Sequence, residues 1–90
     1  MTGWQLRTTT RFDRAARKLD RQVLRRVRTY LDEVCQLDDP RLRGKPLTAG
    51  LSGYWRYRIG DWRVIAEIRE SELIVLAIGL GHRSEIYGND

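Results

Sequence analysis

Residues 50–68 read GLSGYWRYRIGDWRVIAEI, and this stretch decides the fold. Gly60-Asp61 separates two runs of alternating apolar and polar residues, a strong short-range signal for a β-hairpin with a two-residue turn. With that turn, Ile59 faces Trp62, Arg58 faces Arg63, Tyr57 faces Val64 and Arg56 faces Ile65. Strand side chains alternate, so Trp55, Tyr57, Ile59, Trp62, Val64, Ala66 and Ile68 form one face, the core side. Tyr54, Arg56, Arg58, Arg63, Ile65 and Glu67 form the other. Arg58 and Arg63 would lie with Cα atoms about 4.5–5.5 Å apart, and Arg56 about 7 Å along the strand. Like charges placed opposite each other weaken a sheet, so the pattern predicts a patch built for a polyanion. Glu67 on the same face and Asp61 in the turn are the nearby acids that a purely structural account would need.

Outward from the hairpin, three strands are expected at about 51–59, 62–69 and 72–80, with Glu70-Ser71 as the second turn. The third, ELIVLAIGL, is apolar on both faces and belongs in the middle of the sheet or under a cover. In a meander its C-terminal end returns beside Trp62, Arg63 and Arg58, and GHRSEIY follows. That segment brings His82, the single histidine, to the arginine cluster, together with Arg83, Glu85 and Tyr87. An imidazole there can move a proton near neutral pH. Tyr87 can stack on a base or close the edge of the core.

Upstream, Trp4 to Thr8 reads as a short first strand. Thr10 is the expected N-cap of a first helix, with Asp13 three residues on. Phe12, Ala15, Ala16 and Leu19 share one helical face. Asp20 caps a second helix to about Leu37, whose apolar stripe runs through Val23, Leu24, Val27, Tyr30, Leu31, Val34 and Cys35. Its arginines lie largely off the stripe and suit a solvated face, or contact with RNA or an acidic partner. The segment PRLRGKPLTAG, residues 40–50, is a loop rich in basic residues, prolines and glycines.

Composition narrows the function classes. Ninety residues with a net charge of +5 make one domain, residues 1–90, and fifteen of the seventeen basic side chains are arginine, the better fork for phosphate. Residues 1–45 hold twelve basic and six acidic side chains, and residues 46–90 hold five and six. A basic domain points to nucleic acid or an acidic protein partner. Cys35 is the single cysteine, no apolar run approaches a membrane span, and the N-terminus has no export signal, which together predict a cytoplasmic protein without membrane contact. The sequence has no metal-ligand set, no glycine-rich phosphate loop and no nucleophile triad, so no cofactor is expected. A cationic patch with an imidazole and a phenol suits RNA cleavage, in which the 2′-hydroxyl attacks its own phosphodiester. The protein then orients the sugar, stabilises the phosphorane and moves two protons.

The run LRGKPLTAGLSGYWRYRIGDWRVIAEI followed by ELIVLAIGLGHRSEIY resembles the RelE branch of the RelE/ParE superfamily, toxins of bacterial toxin–antitoxin pairs, over nearly the whole chain. The resemblance implies an α+β domain of the microbial-ribonuclease type: an N-terminal strand, a two-helix hairpin and a three-stranded antiparallel meander. It implies a ribosome-dependent endoribonuclease that cuts mRNA in the A site and leaves a 2′,3′-cyclic phosphate. On its matching positions Arg56, Arg58 and Arg63 surround the scissile phosphate, Arg43 is the basic residue of the LRG loop, and Tyr87 orients the substrate. His82, or Arg83 after a slip of the loop, stands where the family has a basic residue. Lys45, Tyr54 and Glu67 are further RNA-binding candidates. Where some relatives carry lysines this chain has Arg56 and Arg58, which stay protonated, so His82 is the expected general acid or base, with Glu67 or a ribosomal RNA group as counterpart. The implied partners are the ribosome, mRNA and an acidic, partly disordered antitoxin, with a toxin–antitoxin heterotetramer as one arrangement. That antitoxin would cover Ile74, Leu76 and Ile78 and the helical arginines. The alternatives are a ParE-like inhibitor of DNA gyrase and a degenerate toxin that binds RNA without cutting it.

Overall fold

The computed structural model describes residues 3–47 and 53–86. Its elements are β1 (Gln5–Thr8), α1 (Thr10–Ala16), α2 (Arg21–Gln36), β2 (Lys45–Pro46), β3 (Tyr54–Ile59), β4 (Trp62–Arg69), β5 (Ile74–His82) and α3 (Arg83–Ile86). They build a five-stranded mixed sheet in the order β1-β5-β4-β3-β2, in which β1 runs parallel to β5 and the other pairs are antiparallel. The α+β class and the strand, helix hairpin, meander order match the expectation. The sheet gains one strand, because Lys45 and Pro46 pair with Arg56 and Trp55 inside what the sequence presents as a loop. Proline is tolerated there because β2 is an edge strand.

Local chemistry explains the boundaries. The cap of α1 is Thr9 rather than Thr10: its amide still donates to Ala77 across the sheet at 3.1 Å while its hydroxyl accepts from the Phe12 amide at 3.1 Å. Thr9 is thus the last residue held extended and the first to satisfy a helix donor. Asp20 caps α2 as expected, its carboxylate accepting from the Val23 amide at 2.9 Å. Gly60 has φ +60° at the first turn position, which a left-handed turn residue requires. At the second turn Glu70–Glu72 forms a 3-10 turn instead of a two-residue hairpin, closed by Leu73 at φ 56°.

The hairpin register is the predicted one, with Ile59 opposite Trp62, Arg58 opposite Arg63 and Arg56 opposite Ile65. Tyr57, Ile59, Val64, Ala66 and Ile68 are buried against Val27, Leu31, Val34 and Cys35 of α2. Tyr30 of α2 meets Tyr57 edge-on at 6.3 Å. β5 lies between β1 and β4, as its two-sided apolar sequence demands. Its ladder with β4 jumps from Ile65–Gly79 to Ala66–Ala77, leaving Ile78 as an extra residue in a bulge. A bulge reverses side-chain alternation, so Val75 and Ala77 before it and Leu80 after it all reach the core.

Candidate nucleic-acid interface

The register sorts the second face of the sheet into rows. One row holds Lys45, Arg56, Ile65 and Gly79, the next holds Arg58, Arg63 and Gly81, and a third holds Tyr54, Glu67 and Leu76. Neighbouring strands lie about 4.8 Å apart, so the cations occupy the β2–β3–β4 side and the two glycines lie next to them on β5. Without side chains at Gly79 and Gly81 the face is hollow there. A groove of about 610 Å³ runs over Tyr54, Ile65, Gly79 and Gly81, with Arg11 of α1 on one flank and Glu85 of α3 among its walls. The sequence pattern alone does not single out the two glycines or Arg11 as site residues. The signal for the glycines was present in Ile78-Gly79-Leu80-Gly81: glycine recurring in a strand marks a place where something approaches the backbone closely.

Arg58 is exposed and Arg56 half-buried. Arg63 differs from expectation: it is only 2% exposed, and its Nη1 donates to the carbonyls of Gly60 and Trp62 at 2.9 and 3.0 Å. The three guanidiniums therefore do not form an open trio. Arg63 is turned back onto the hairpin and braces the turn carbonyls. A buried cation is expensive unless its donors are satisfied, and the turn carbonyls contribute to that.

His82 is placed differently from the sequence expectation. The Ile78 bulge puts it opposite Trp62 rather than on the arginine face, and its ring meets the Trp62 ring edge-on at 5.5 Å. His82 caps α3: its Nδ1 accepts from the Ser84 amide at 3.3 Å and lies 2.9 Å from the Ser84 hydroxyl. Glu85 returns the contact, its Oε1 accepting from the His82 amide at 3.0 Å. This reciprocal pair has the form of a capping box. Arg83 is exposed near Asp61, with Nε 4.0 Å from the carboxylate, and its amide donates to the Asp61 carbonyl at 2.8 Å. Tyr87 lies outside the described residues.

The remaining candidates divide. Lys45 and Tyr54 stand on the arginine face. Glu67 shares that face but pairs with Arg69 at 2.8 Å, and four residues of strand, about 13 Å, separate it from Arg63. It neutralises neither Arg58 nor Arg63. Arg43 is not on this face. Its guanidinium packs over the Tyr30 ring at 5.4 Å and bonds Glu33 at 3.0 Å, on the side of α2. The loop that carries it is fixed by the Tyr57 hydroxyl, which donates to the Pro40 carbonyl at 2.7 Å, and by Gly44, where a Cβ would come within 3.1 Å of the Tyr57 ring. Burial raises the Tyr57 pKa, so the phenol stays protonated and keeps donating.

Among the described residues no cluster of three metal-ligating side chains occurs, and no helix is long and apolar enough to cross a membrane. The face offers guanidiniums and an ammonium beside an apolar, glycine-floored groove that has the Glu85 carboxylate in its wall. Such a surface can hold a phosphate against a sheet while a base or sugar rests in the hollow.

No protein of curated function matches the chain in sequence. The family model that matches, over residues 6–87, describes the ParE toxin of the type II toxin–antitoxin system parDE. Among solved structures, the chain is similar to a RelBE toxin–antitoxin complex of Mycobacterium tuberculosis at 27% identity and a TM-score of 0.82, covering 94% of this chain and 97% of that one. It is similar in fold to a double-arginine variant of the E. coli toxin RelE in the free state, at 21% identity, a TM-score of 0.78 and coverage of 98% and 90%. The same fold recurs in the archaeal RelE–RelB complex of Pyrococcus horikoshii, at 22% identity, a TM-score of 0.72 and coverage of 94% and 99%. With its hairpin, helix pair and mixed sheet in the shared order, the chain belongs to the ParE toxin family of type II toxin–antitoxin systems, within the RelE/ParE superfamily.

Proposed function

We propose that this toxin is a metal-independent, ribosome-dependent endoribonuclease that cuts mRNA in the A site by 2′-hydroxyl attack on the adjacent phosphodiester, and so inhibits translation. The observation that carries this reading is the row geometry of the open sheet face. Lys45 beside Arg56, and Arg58 opposite Arg63, share a sheet face with Gly79 and Gly81, which line the neighbouring groove. Exposed Arg58 is the phosphate clamp, Arg63 positions the turn that carries it, and Arg56, Lys45 and Arg83 supply further positive charge against the phosphorane. Tyr54 is the ring on which a base rests, and Tyr87 a second phenol near the C-terminus.

Proton transfer needs a group that guanidiniums cannot supply. Among the described residues Glu85 is the one carboxylate lining the groove, and it is the general base that this geometry favours. His82 serves by capping the helix that holds Glu85, and Glu67, committed to Arg69, serves as a flank of the binding face. The RelBE relatives of Mycobacterium tuberculosis and E. coli were solved as toxin–antitoxin complexes, which supports a cognate antitoxin for this chain. An acidic segment would complement its net charge of +5.

A second reading, inhibition of DNA gyrase, is favoured by the family model, which describes a ParE toxin. Both are tested by adding the protein to translating ribosomes and mapping mRNA 5′ ends, with gyrase supercoiling measured in parallel. Codon-phased cuts with intact supercoiling are expected. Lost supercoiling without cuts would establish the second reading, and neither effect would leave an RNA-binding toxin without cleavage.

A further inference from the structure

A second cationic surface lies off the sheet face. Between α2 and the β3–β4 hairpin runs a groove of about 640 Å³ lined by Arg25, Arg26, Tyr30, Glu33, Arg58 and Gly60. Arg26 lays its guanidinium over the turn, so that a Cβ at Gly60 would meet its Nη1 and Nη2 at 3.1 and 3.2 Å. Glu33, the only carboxylate of this lining among the described residues, is already bonded to Arg43 at 3.0 Å. Among the described residues no carboxylate pairs with Arg25, Arg26 or Arg58. Three guanidiniums around one groove repel each other until an anion enters.

The groove is continuous with the sheet face. Among the described residues β2 covers β3 only opposite Trp55 and Arg56, and none supplies a strand beside the β3 edge beyond them. Arg58 belongs to both surfaces, as the cross-strand partner of Arg63 and as a wall of the groove. An acidic amphipathic peptide would need apolar pockets to anchor it. Among the described residues this groove is lined mainly by polar and charged side chains, and the one aliphatic side chain in it, Ile59, is buried in the core.

We propose that single-stranded RNA lying on the sheet face continues across the open edge of β3 at Arg58 into this groove, where Arg25 and Arg26 hold its phosphates. This path rests on the reading of the sheet face as the RNA-binding surface, and it adds two helix residues as substrate grips. It also gives Arg43 a place in recognition: by holding Glu33, it keeps that carboxylate from neutralising the groove.

The test is the affinity of the full chain for a fluorescent 12-nucleotide RNA with 2′-O-methyl riboses, which cannot be cleaved. Each phosphate contact to single-stranded nucleic acid contributes about 0.7 to the slope of log K against log salt. Replacing both Arg25 and Arg26 with Gln should make that slope shallower by about 1.4 and weaken binding about 25-fold at 0.1 M salt. A charge-matched control, Arg17→Gln with Arg21→Gln, should lose less than about threefold, since these exposed residues lie outside the groove. Equal losses in both double variants would reduce the effect to net charge and overturn the path. Unchanged RNA binding in the Arg25 and Arg26 variant would overturn it too, and would assign the groove to an acidic protein if a poly-glutamate peptide lost affinity instead. Because the probe cannot be cut, a toxin that fails to cleave mRNA on ribosomes gives a separate result from a toxin whose groove does not bind RNA.

Discussion

Filling the glycine floor should leave the fold intact while slowing cleavage. Gly79 has ordinary extended backbone, since the glycines with positive φ are Gly53 and Gly60. A Cβ placed there would meet Ile65 at 3.7 and 3.9 Å, ordinary contact distances. Glycine inside a strand costs roughly 0.5–1 kcal/mol relative to alanine, so Gly79→Ala should stabilise by about that amount. For a domain of this size that corresponds to a Tm about 2–8 °C higher. Gly79→Leu sends its side chain into the groove of about 610 Å³, so it too should fold. An RNA strand lifted from the floor by more than about 1 Å loses its alignment with Arg58, and a misplacement of that size costs about 10²-fold in rate. The assay is cleavage of a defined mRNA on programmed ribosomes, with thermal melts of both variants. A Gly79→Leu protein that melts normally and cuts at the unaltered rate would refute the placement of substrate over β5.

Further outcomes are expected at Glu85, His82, Tyr57 and Cys35. Glu85→Gln keeps the acceptor that caps α3 but removes the carboxylate, so cleavage should fall about 10²–10⁴-fold. His82→Asn, which retains a capping side chain, should cost less than about tenfold, and the reverse ranking in the same cleavage assay would restore proton transfer to His82. Tyr57→Phe removes the buried bond to Pro40 and should cost about 1–2 kcal/mol, read by urea denaturation. Burial raises the Tyr57 pKa, so its stabilising effect is complete below the ordinary phenol value of about 10 and declines as pH rises through the folded value. The phenylalanine variant should lack that alkaline loss. Cys35 is buried, and burial pushes its thiol up to about 11. It should resist a disulfide reagent at pH 8 in the native protein and react on unfolding; rapid native labelling would contradict the helix packing.

The hairpin register could be read from the sequence because Gly60-Asp61 fixes the turn and one residue of slip would expose Tyr57 and Val64. The helix stripe through Val27, Leu31 and Val34 was equally plain, since 3.6-residue periodicity is a direct consequence of packing on a sheet. Three features were not legible. The Ile78 bulge has no turn residue to mark it, and it decides which face His82 reaches. The two-residue β2 is too short for any periodicity, yet it brings Lys45 beside Arg56. The burial of Arg63 depends on how a long side chain folds back onto the turn carbonyls, a choice that alternation alone cannot make. Pairing placed the arginines correctly on one face, but pairing says nothing about which of them is open to solvent.

In the proposed reaction exposed Arg58 holds the scissile phosphate of the mRNA. Primer extension on ribosomes carrying a defined mRNA, with wild type and Arg58→Gln side by side, measures it most directly. Codon-phased 5′ ends are expected with the wild type, and a loss of about 10²-fold or more in the variant. Undiminished cutting by the folded variant, or no cutting by the wild type, would contradict it.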